Sequence, residues 1–284
     1  MAKNKLYFIG YGHMAEAIYQ RLDKSLFKNI FLIEKDDDRR ISIDKKRYDK
    51  TQLLKSLQGI KFCNSDIVIL AVKPNQIKSI CNEINSLMMG KKDLPVVISI
   101  AAGVTTTSIR DYIIQENLSH LQNFLNIYRA MPNLCASNGD SITGLFGSSV
   151  SDITNSKNTV SEIFNSVGEV LWLKKEADLN IVTAISGSGP AYIFYIMEIM
   201  INSAQELGLS EKDAKKLVAM TFIGSGKMGL SIQNLKEQIS KVSSKGGTTE
   251  AALKVFEKEN LSLIFNQAIE AAHARSKEIS QSNE

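Results

Sequence analysis

The sequence predicts an α/β protein in two parts, a doubly wound, mainly parallel sheet domain over residues 1–174 and an all-α domain over 175–284. Three observations carry this. A strand, a glycine turn and a helix open the chain. Strand-like and helix-like segments then alternate, which implies a parallel sheet with helical crossovers. Strand patterning stops near Lys174, and only helical spacing follows.

Lys5 to Ile9 is apolar and aromatic, as a buried strand should be. Gly10-Tyr11-Gly12-His13-Met14-Ala15 then reads G-x-G-x-x-A, and Glu16 to Leu22 continues with helical spacing. This is the Rossmann dinucleotide-binding fingerprint in its required context, strand before and helix after. Gly10 permits the tight turn, Gly12 lets the backbone approach a pyrophosphate, and Ala15 keeps the helix close to the strand. The helix N-terminus offers free N–H groups and positive potential to the phosphates. His13 is expected to face the phosphates or solvent rather than to act in catalysis.

Ile30 to Ile33 reads as a second strand, and Glu34 ends it 24 residues after Gly10. A carboxylate there holds the ribose 2′-hydroxyl of NAD and repels the 2′-phosphate of NADP. Lys35, Arg39 and Arg40 lie close by and favour that phosphate, so NADH and NADPH both stay open as cofactor. Asp36 to Arg40 is the sharpest charge run and reads as a solvated face. Residues 36–64 should hold a third strand that the pattern does not place.

Ile67 to Val72 is a short β-branched run ending at Lys73-Pro74, and Asn75 to Met88 carries the helix that Pro74 starts. Pro95 to Ile100 is a further buried strand, closed by Ala101-Ala102-Gly103, and Thr105 to Ile114 looks helical. Strands are expected at Phe124 to Tyr128, Ser141 to Phe146 and Glu169 to Leu173, with a helix at Ser151 to Ser166. Ligands of a doubly wound sheet sit at the carboxyl ends of its strands. Ala71, Val72, Lys73 and Pro74, with Ala101 and Ala102, should therefore border the cofactor.

In the helical half, Ser188-Gly189-Pro190 reads as a capped helix start, and Ala191 to Leu207 is apolar nearly all round. Such a helix is buried inside something. Ser210 caps a helix toward Gly229, and Gly224-Ser225-Gly226 within it suggests a close helix crossing. Asn234 to Val242, Thr248 to Glu259 and Leu261 to about Ile279 complete the half. So much apolar helix implies that part of the surface buries against a second copy of the chain.

Ser243 to Glu250 places two glycines and two threonines, Gly246-Gly247-Thr248-Thr249, before a helix. Backbone N–H groups at such a turn form an anion nest, and the helix N-terminus adds positive potential. A substrate carboxylate fits there, and either threonine hydroxyl donates or accepts a hydrogen bond. An ordinary helix cap is the alternative.

The chain has 284 residues, 44% apolar and with a formal net charge of +4, its charges mixed without a basic tail or stripe. That argues against nucleic acid as a partner. Cys63, Cys81 and Cys135 lack metal-ligand spacing, no metal site is expected, and their sparse, odd count fits a reducing compartment. The N-terminus does not read as a signal peptide. No apolar run approaches the roughly 20 residues needed to cross a bilayer. A cytoplasmic protein is the expectation.

Taken together these segments resemble the pyrroline-5-carboxylate reductase family. The matching pieces are Ile9 to Ala17 (IGYGHMAEA), Ala71 to Pro74 (AVKP), Ser99 to Gly103 (SIAAG), Arg129 to Asn133 (RAMPN), Ser186 to Tyr192 (SGSGPAY) and Gly246 to Thr249 (GGTT). Ala271 to Glu278 looks like the family's C-terminal end, so the resemblance covers nearly the whole chain. It implies hydride transfer from NADPH or NADH to the imine of 1-pyrroline-5-carboxylate, giving L-proline, the last step of proline biosynthesis. It also implies a homodimer with an interlocked helical domain, built into rings of dimers in some members. By motif, Gly246, Gly247 and Thr248 would offer backbone contacts to the substrate carboxylate, and Thr249 would hydrogen-bond the ring nitrogen as the catalytic residue.

The chain departs from the family pattern at His13, where asparagine is usual, at Lys245, where proline is usual, and at Leu134-Cys135, where a Thr-Pro pair is usual. Two rival readings remain open on the residues alone. One is a Rossmann reductase of another substrate, such as a hydroxy acid. The other is a dinucleotide-binding sensor without turnover.

Overall fold

A computed structural model describes residues 4–44, 50–63, 66–88, 94–121, 125–148 and 156–282, the side chains of His120 and Ser148 excepted. The chain divides into two compact units, Met1–Ser188 with Ala272–Glu284, and Gly189–Ala271.

The first unit is built on one eight-stranded sheet in the order β3-β2-β1-β4-β5-β6-β7-β8. Its strands are β1 (Lys5–Ile9), β2 (Asn29–Ile33), β3 (Thr51–Leu54), β4 (Ile67–Leu70), β5 (Val96–Ser99), β6 (Ile127–Met131), β7 (Ser141–Ser148) and β8 (Gly168–Trp172). All neighbours pair in parallel except β6 and β7, whose short connection allows an antiparallel pair. Every residue of β4 and β5 is buried, as expected of parallel strands covered on both faces. Successive side chains feed opposite faces. Leu6, Phe8, Ile69 and Ile98 belong to one core cluster, while Tyr7, Ile9, Val68 and Val97 belong to the other.

The helices of this unit are α1 (His13–Arg21), α2 (Asp37–Asp44), α3 (Ile77–Met88), α4 (Thr106–Ile113), α5 (Ser156–Asn165) and α6 (Leu179–Val182). In α3 the residues Ile77, Ile80, Cys81, Ile84 and Met88 are buried, one stripe at helical spacing. Thr105 caps α4 by accepting from the Ser108 N–H.

Several expectations shift. The third strand is β3, an edge strand beside β2, too short and too polar at Thr51 and Gln52 to show a pattern. The strand expected at Phe124 to Tyr128 runs instead over Ile127–Met131 and carries a charged Arg129, which hid it; Phe124 lies outside the described residues. Of the helix expected from Ser151, residues 151–155 also lie outside them.

The second unit holds α7 (Gly189–Glu206), α8 (Glu211–Gly229), α9 (Leu235–Val242), α10 (Thr248–Lys258) and the first half of α11 (Leu261–Ser282), whose second half belongs to the first unit. Ser188 does not cap a helix start. The helical path already runs from Glu176 and passes a π turn at Thr183–Gly187, where the Ser188 N–H donates to the Thr183 carbonyl at 2.9 Å. Pro190 lacks an N–H, and the widened turn just before it absorbs that break. No residue of α7 is buried within the chain, and Ala214 and Val218 are the buried apolar residues of α8. An added Cβ at Gly224 or Gly226 would meet nothing within 4 Å, so the expected close crossing is not made among the described residues.

The 31-residue helical run Glu176–Glu206 is long and apolar enough to cross a membrane by length and composition alone. That corrects the expectation that no run approaches this length. Polar interruptions at Ser186, Ser188 and Glu198 disguise the run in sequence.

Cys81 is fully buried and burial pushes its thiol up to about 12, whereas Cys63 is exposed. Alkylation by iodoacetamide at neutral pH should therefore modify Cys63 in the native protein and Cys81 only after denaturation, as read by peptide mass mapping.

Candidate functional site

Sheet order reverses between β1 and β4, because β2 lies on one side of β1 and β5 on the far side of β4. Open α/β sheets bind ligands in the crevice at such a switch point, outside the carboxyl ends of the strands. A cleft of about 470 Å³ opens there. Gly10, Tyr11 and Gly12 line it from the end of β1, Glu34, Lys35, Asp36 and Arg39 from the end of β2, and Ala71, Val72 and Lys73 from the end of β4.

Gly10 has φ +84°, and a Cβ on it would lie 2.8 Å from both the Ala71 carbonyl oxygen and Val72 Cγ1. No other residue type fits this junction. Gly12 caps α1 without a side-chain hydrogen bond, leaving the first-turn N–H groups for an anion. The glycine cradle, the uncapped helix end and the acidic strand end together fit a dinucleotide.

Glu34 is 8% exposed, and backbone N–H groups hold both its carboxylate oxygens. Tyr11 N donates to Oε2 at 3.1 Å and Asp36 N to Oε1 at 3.1 Å. Arg39 Nη1 stands 4.0 Å from Oε2. Lys35 pairs with Glu83 at 3.0 Å, and Arg40 pairs with Asp37 while also donating to the Glu34 and Lys35 carbonyls.

Other residues expected at the cofactor lie elsewhere around this cleft. His13 borders a separate depression of about 160 Å³ with Arg39 and Ser42. Ala15 is buried in the core, with Met14 packed against the same cluster. Pro74 starts a single tight turn, Pro74–Gln76, before α3. Ala101 is buried beyond β5, and Ala102 is half-buried beside it. Gln76, Ser79 and Ile80 also line the cleft, a set at i, i+3 and i+4 that the helical reading of this segment contained.

A buried ion pair was not visible in sequence. Arg129 Nη1 meets Glu176 Oε1 at 3.0 Å, and the same carboxylate accepts from Thr106 N at 2.7 Å and Thr106 Oγ1 at 2.8 Å. Glu176 is thus the anion at the N-terminus of α4. Burial lowers the Arg129 guanidinium pKa, and Glu176 opposes that shift. Asn133 Nδ2 donates to Ser186 Oγ at 2.9 Å, so the RAMPN segment reaches the 176–186 segment at both ends. Beyond Ala102, a Cβ on Gly103 would come within 2.6 Å of Ile279 Cγ2, so the end of α11 closes against the loop after β5.

In the second unit, the Gly247 N–H donates to the Ser244 carbonyl at 2.9 Å and Gly246 has φ +75°. This is a type II turn with Lys245 at its second position and glycine at its third. The Gly246 N–H also donates to Glu250 Oε2 at 2.8 Å. Gly247 caps α10 without a side-chain hydrogen bond, which leaves the first-turn N–H groups of Thr248 and Thr249 outside the helix ladder.

Residues 176–279 match the family model described as pyrroline-5-carboxylate reductase dimerisation, and residues 5–103 match that of NADP oxidoreductase, coenzyme F420-dependent. The pyrroline-5-carboxylate reductase of Pasteurella multocida is 32% identical over 286 residues, covering 98% of each chain. The chain belongs to the pyrroline-5-carboxylate reductase family. That of Bacillus subtilis, pyrroline-5-carboxylate reductase 2, is 32% identical over 98% of this chain and 95% of its own. Among solved structures, the Coxiella burnetii pyrroline-5-carboxylate reductase superposes with TM-score 0.82 at 36% identity, over 99% of both chains. The Plasmodium falciparum pyrroline carboxylate reductase, solved with NADP bound, gives 0.80 at 27% identity, over 99% of both chains. The protein is accordingly an NAD(P)-dependent reductase of 1-pyrroline-5-carboxylate, and Glu176–Glu206 belongs to the reductase's dimerisation domain rather than to a membrane span.

Arg129→Met would leave the Glu176 carboxylate unpaired, and chemical denaturation should show a loss of about 3 kcal/mol. Lys245→Pro, which presets the second position of a type II turn, should raise stability by about 0.4–1 kcal/mol in the same assay.

Proposed function

We propose that the Gly246–Thr249 turn anchors the substrate carboxylate and that Thr249 orients the ring nitrogen of 1-pyrroline-5-carboxylate. The observation that carries this reading is a glycine turn leading into a helix N-terminus without a side-chain cap. Gly246 and Gly247 shape the turn, and their own N–H groups are engaged by Glu250 and Ser244. The first-turn N–H groups, beginning with Thr248, receive the carboxylate, and Lys245 adds a cation beside it. The Thr249 hydroxyl both donates and accepts, which suits a ring nitrogen that carries a proton in the iminium form.

The cofactor is held by Gly10, Tyr11 and Gly12, by Glu34 and Lys35, and by Ala71, Val72 and Lys73, the residues that line the cleft, while Ala15 in the core keeps α1 close behind them. A bound nicotinamide supplies the hydride. The iminium carbon is already electrophilic, so the chain's task is alignment, which is worth roughly 7–11 kcal/mol. Two electrons reduce the C=N bond, the proton stays on the ring nitrogen, and L-proline results.

Residues 1–174 serve as the dinucleotide-binding part and residues 175–284 as the dimerisation and substrate-binding part. Phe194, Tyr195, Met220 and Phe256 are among many large apolar side chains exposed on the second unit. A second copy of the chain covers them in a homodimer, with rings of dimers as the larger assembly. The enzyme works in the cytoplasm, with neither nucleic acid nor membrane as partner.

Absorbance at 340 nm tests the activity. It should fall when the protein meets 1-pyrroline-5-carboxylate with NADH or NADPH. No fall with either, from folded protein that binds a dinucleotide, would sink the assignment. Thr249→Ala should lower kcat/KM by roughly 10- to 100-fold, with Thr249→Ser retaining most activity; wild-type rates in Thr249→Ala would remove its role.

A further inference from the structure

We propose that Glu34 makes this chain prefer NADH over NADPH by reading the 2′ position of the adenosine ribose. The proposal rests on the reading of the β1–β4 cleft as the dinucleotide site. Glu34 lines that cleft from the end of β2, where an acidic side chain meets the ribose.

What distinguishes this carboxylate is that it is held in place. It is nearly buried, and one N–H from the glycine loop and one from Asp36 grip its two oxygens at 3.1 Å each. A side chain bound from both sides does not swing out when a phosphate arrives. One accepted N–H hydrogen bond per oxygen also leaves each with a lone pair for a ribose hydroxyl. A 2′-phosphate would instead bring roughly two negative charges against a desolvated carboxylate.

The cations at this corner already face anions. Lys35 meets Glu83, Arg40 meets Asp37, and Arg39 stands 4.0 Å from Glu34 itself. Arg39 is 54% exposed, so its attraction for a phosphate is screened by water and shared with Glu34. The fixed carboxylate therefore outweighs the mobile guanidinium.

Calorimetric titration of the full chain with NADH and with NADPH, without substrate, tests this directly. The dissociation constant for NADPH should exceed that for NADH by about tenfold or more. A smaller ratio, or tighter NADPH binding, overturns the preference while leaving the dinucleotide site intact. Failure of both to bind overturns the cleft reading and the preference with it. Glu34→Gln should bring the two constants within about threefold, and an unchanged ratio in folded variant would remove Glu34 as the cause. Should that variant not fold, wild-type binding of ADP-ribose against its 2′-phosphate isolates the same corner, and equal affinities would overturn the proposal.

Discussion

At the end of β1 the backbone turns so tightly that a Cβ on Gly10 would press within 2.8 Å of the Ala71 carbonyl. That contact joins the ends of β1 and β4 where the sheet order reverses. The cleft exists because the chain leaves β1 toward β2 on one side and leaves β4 toward β5 on the other. Its depth depends on backbone approaching backbone without a side chain between. The N-terminus of α1, the carboxylate of Glu34 and the AVKP segment all take their positions from it.

A second constraint is the buried charge of Arg129. A guanidinium taken from water needs a partner. Glu176 provides it and in the same contact caps α4. One carboxylate thereby ties β6, α4 and the start of the long helical run together. Ser276 and Ser280 of α11 both donate to Asn180 Oδ1, and Ile279 closes over Gly103, so the chain's end returns to the α/β unit. The loop after β5 is thus held by residues far away in sequence.

The helical unit presents the opposite situation. Its helices are apolar, yet within one chain they bury little. Leu207, Leu230 and Tyr195 stand largely in the open. An apolar surface of this kind needs a cover, and the match of residues 176–279 to a dimerisation family agrees with a second copy providing it.

The sequence by itself determined the period of most elements, the G-x-G-x-x-A junction and the glycine-threonine turn, because these depend on local backbone freedom and on spacing along the chain; β3 and the extent of β6 escaped it, being too polar at Thr51 and Gln52 and at Arg129 to show a pattern. It also carried Glu34 at the end of β2, since a strand's length fixes where its last residue emerges. Tertiary structure alone decided what each charge meets. Glu34 became a gripped carboxylate because Tyr11 and Asp36 present N–H groups from two different loops. Glu176 became the partner of Arg129 across a separation that no short-range pattern encodes. The π turn before Pro190, hidden behind what reads as a helix start, likewise depends on the helix arriving from Glu176. Spacing reports which face a residue takes; only folding reports what stands opposite it.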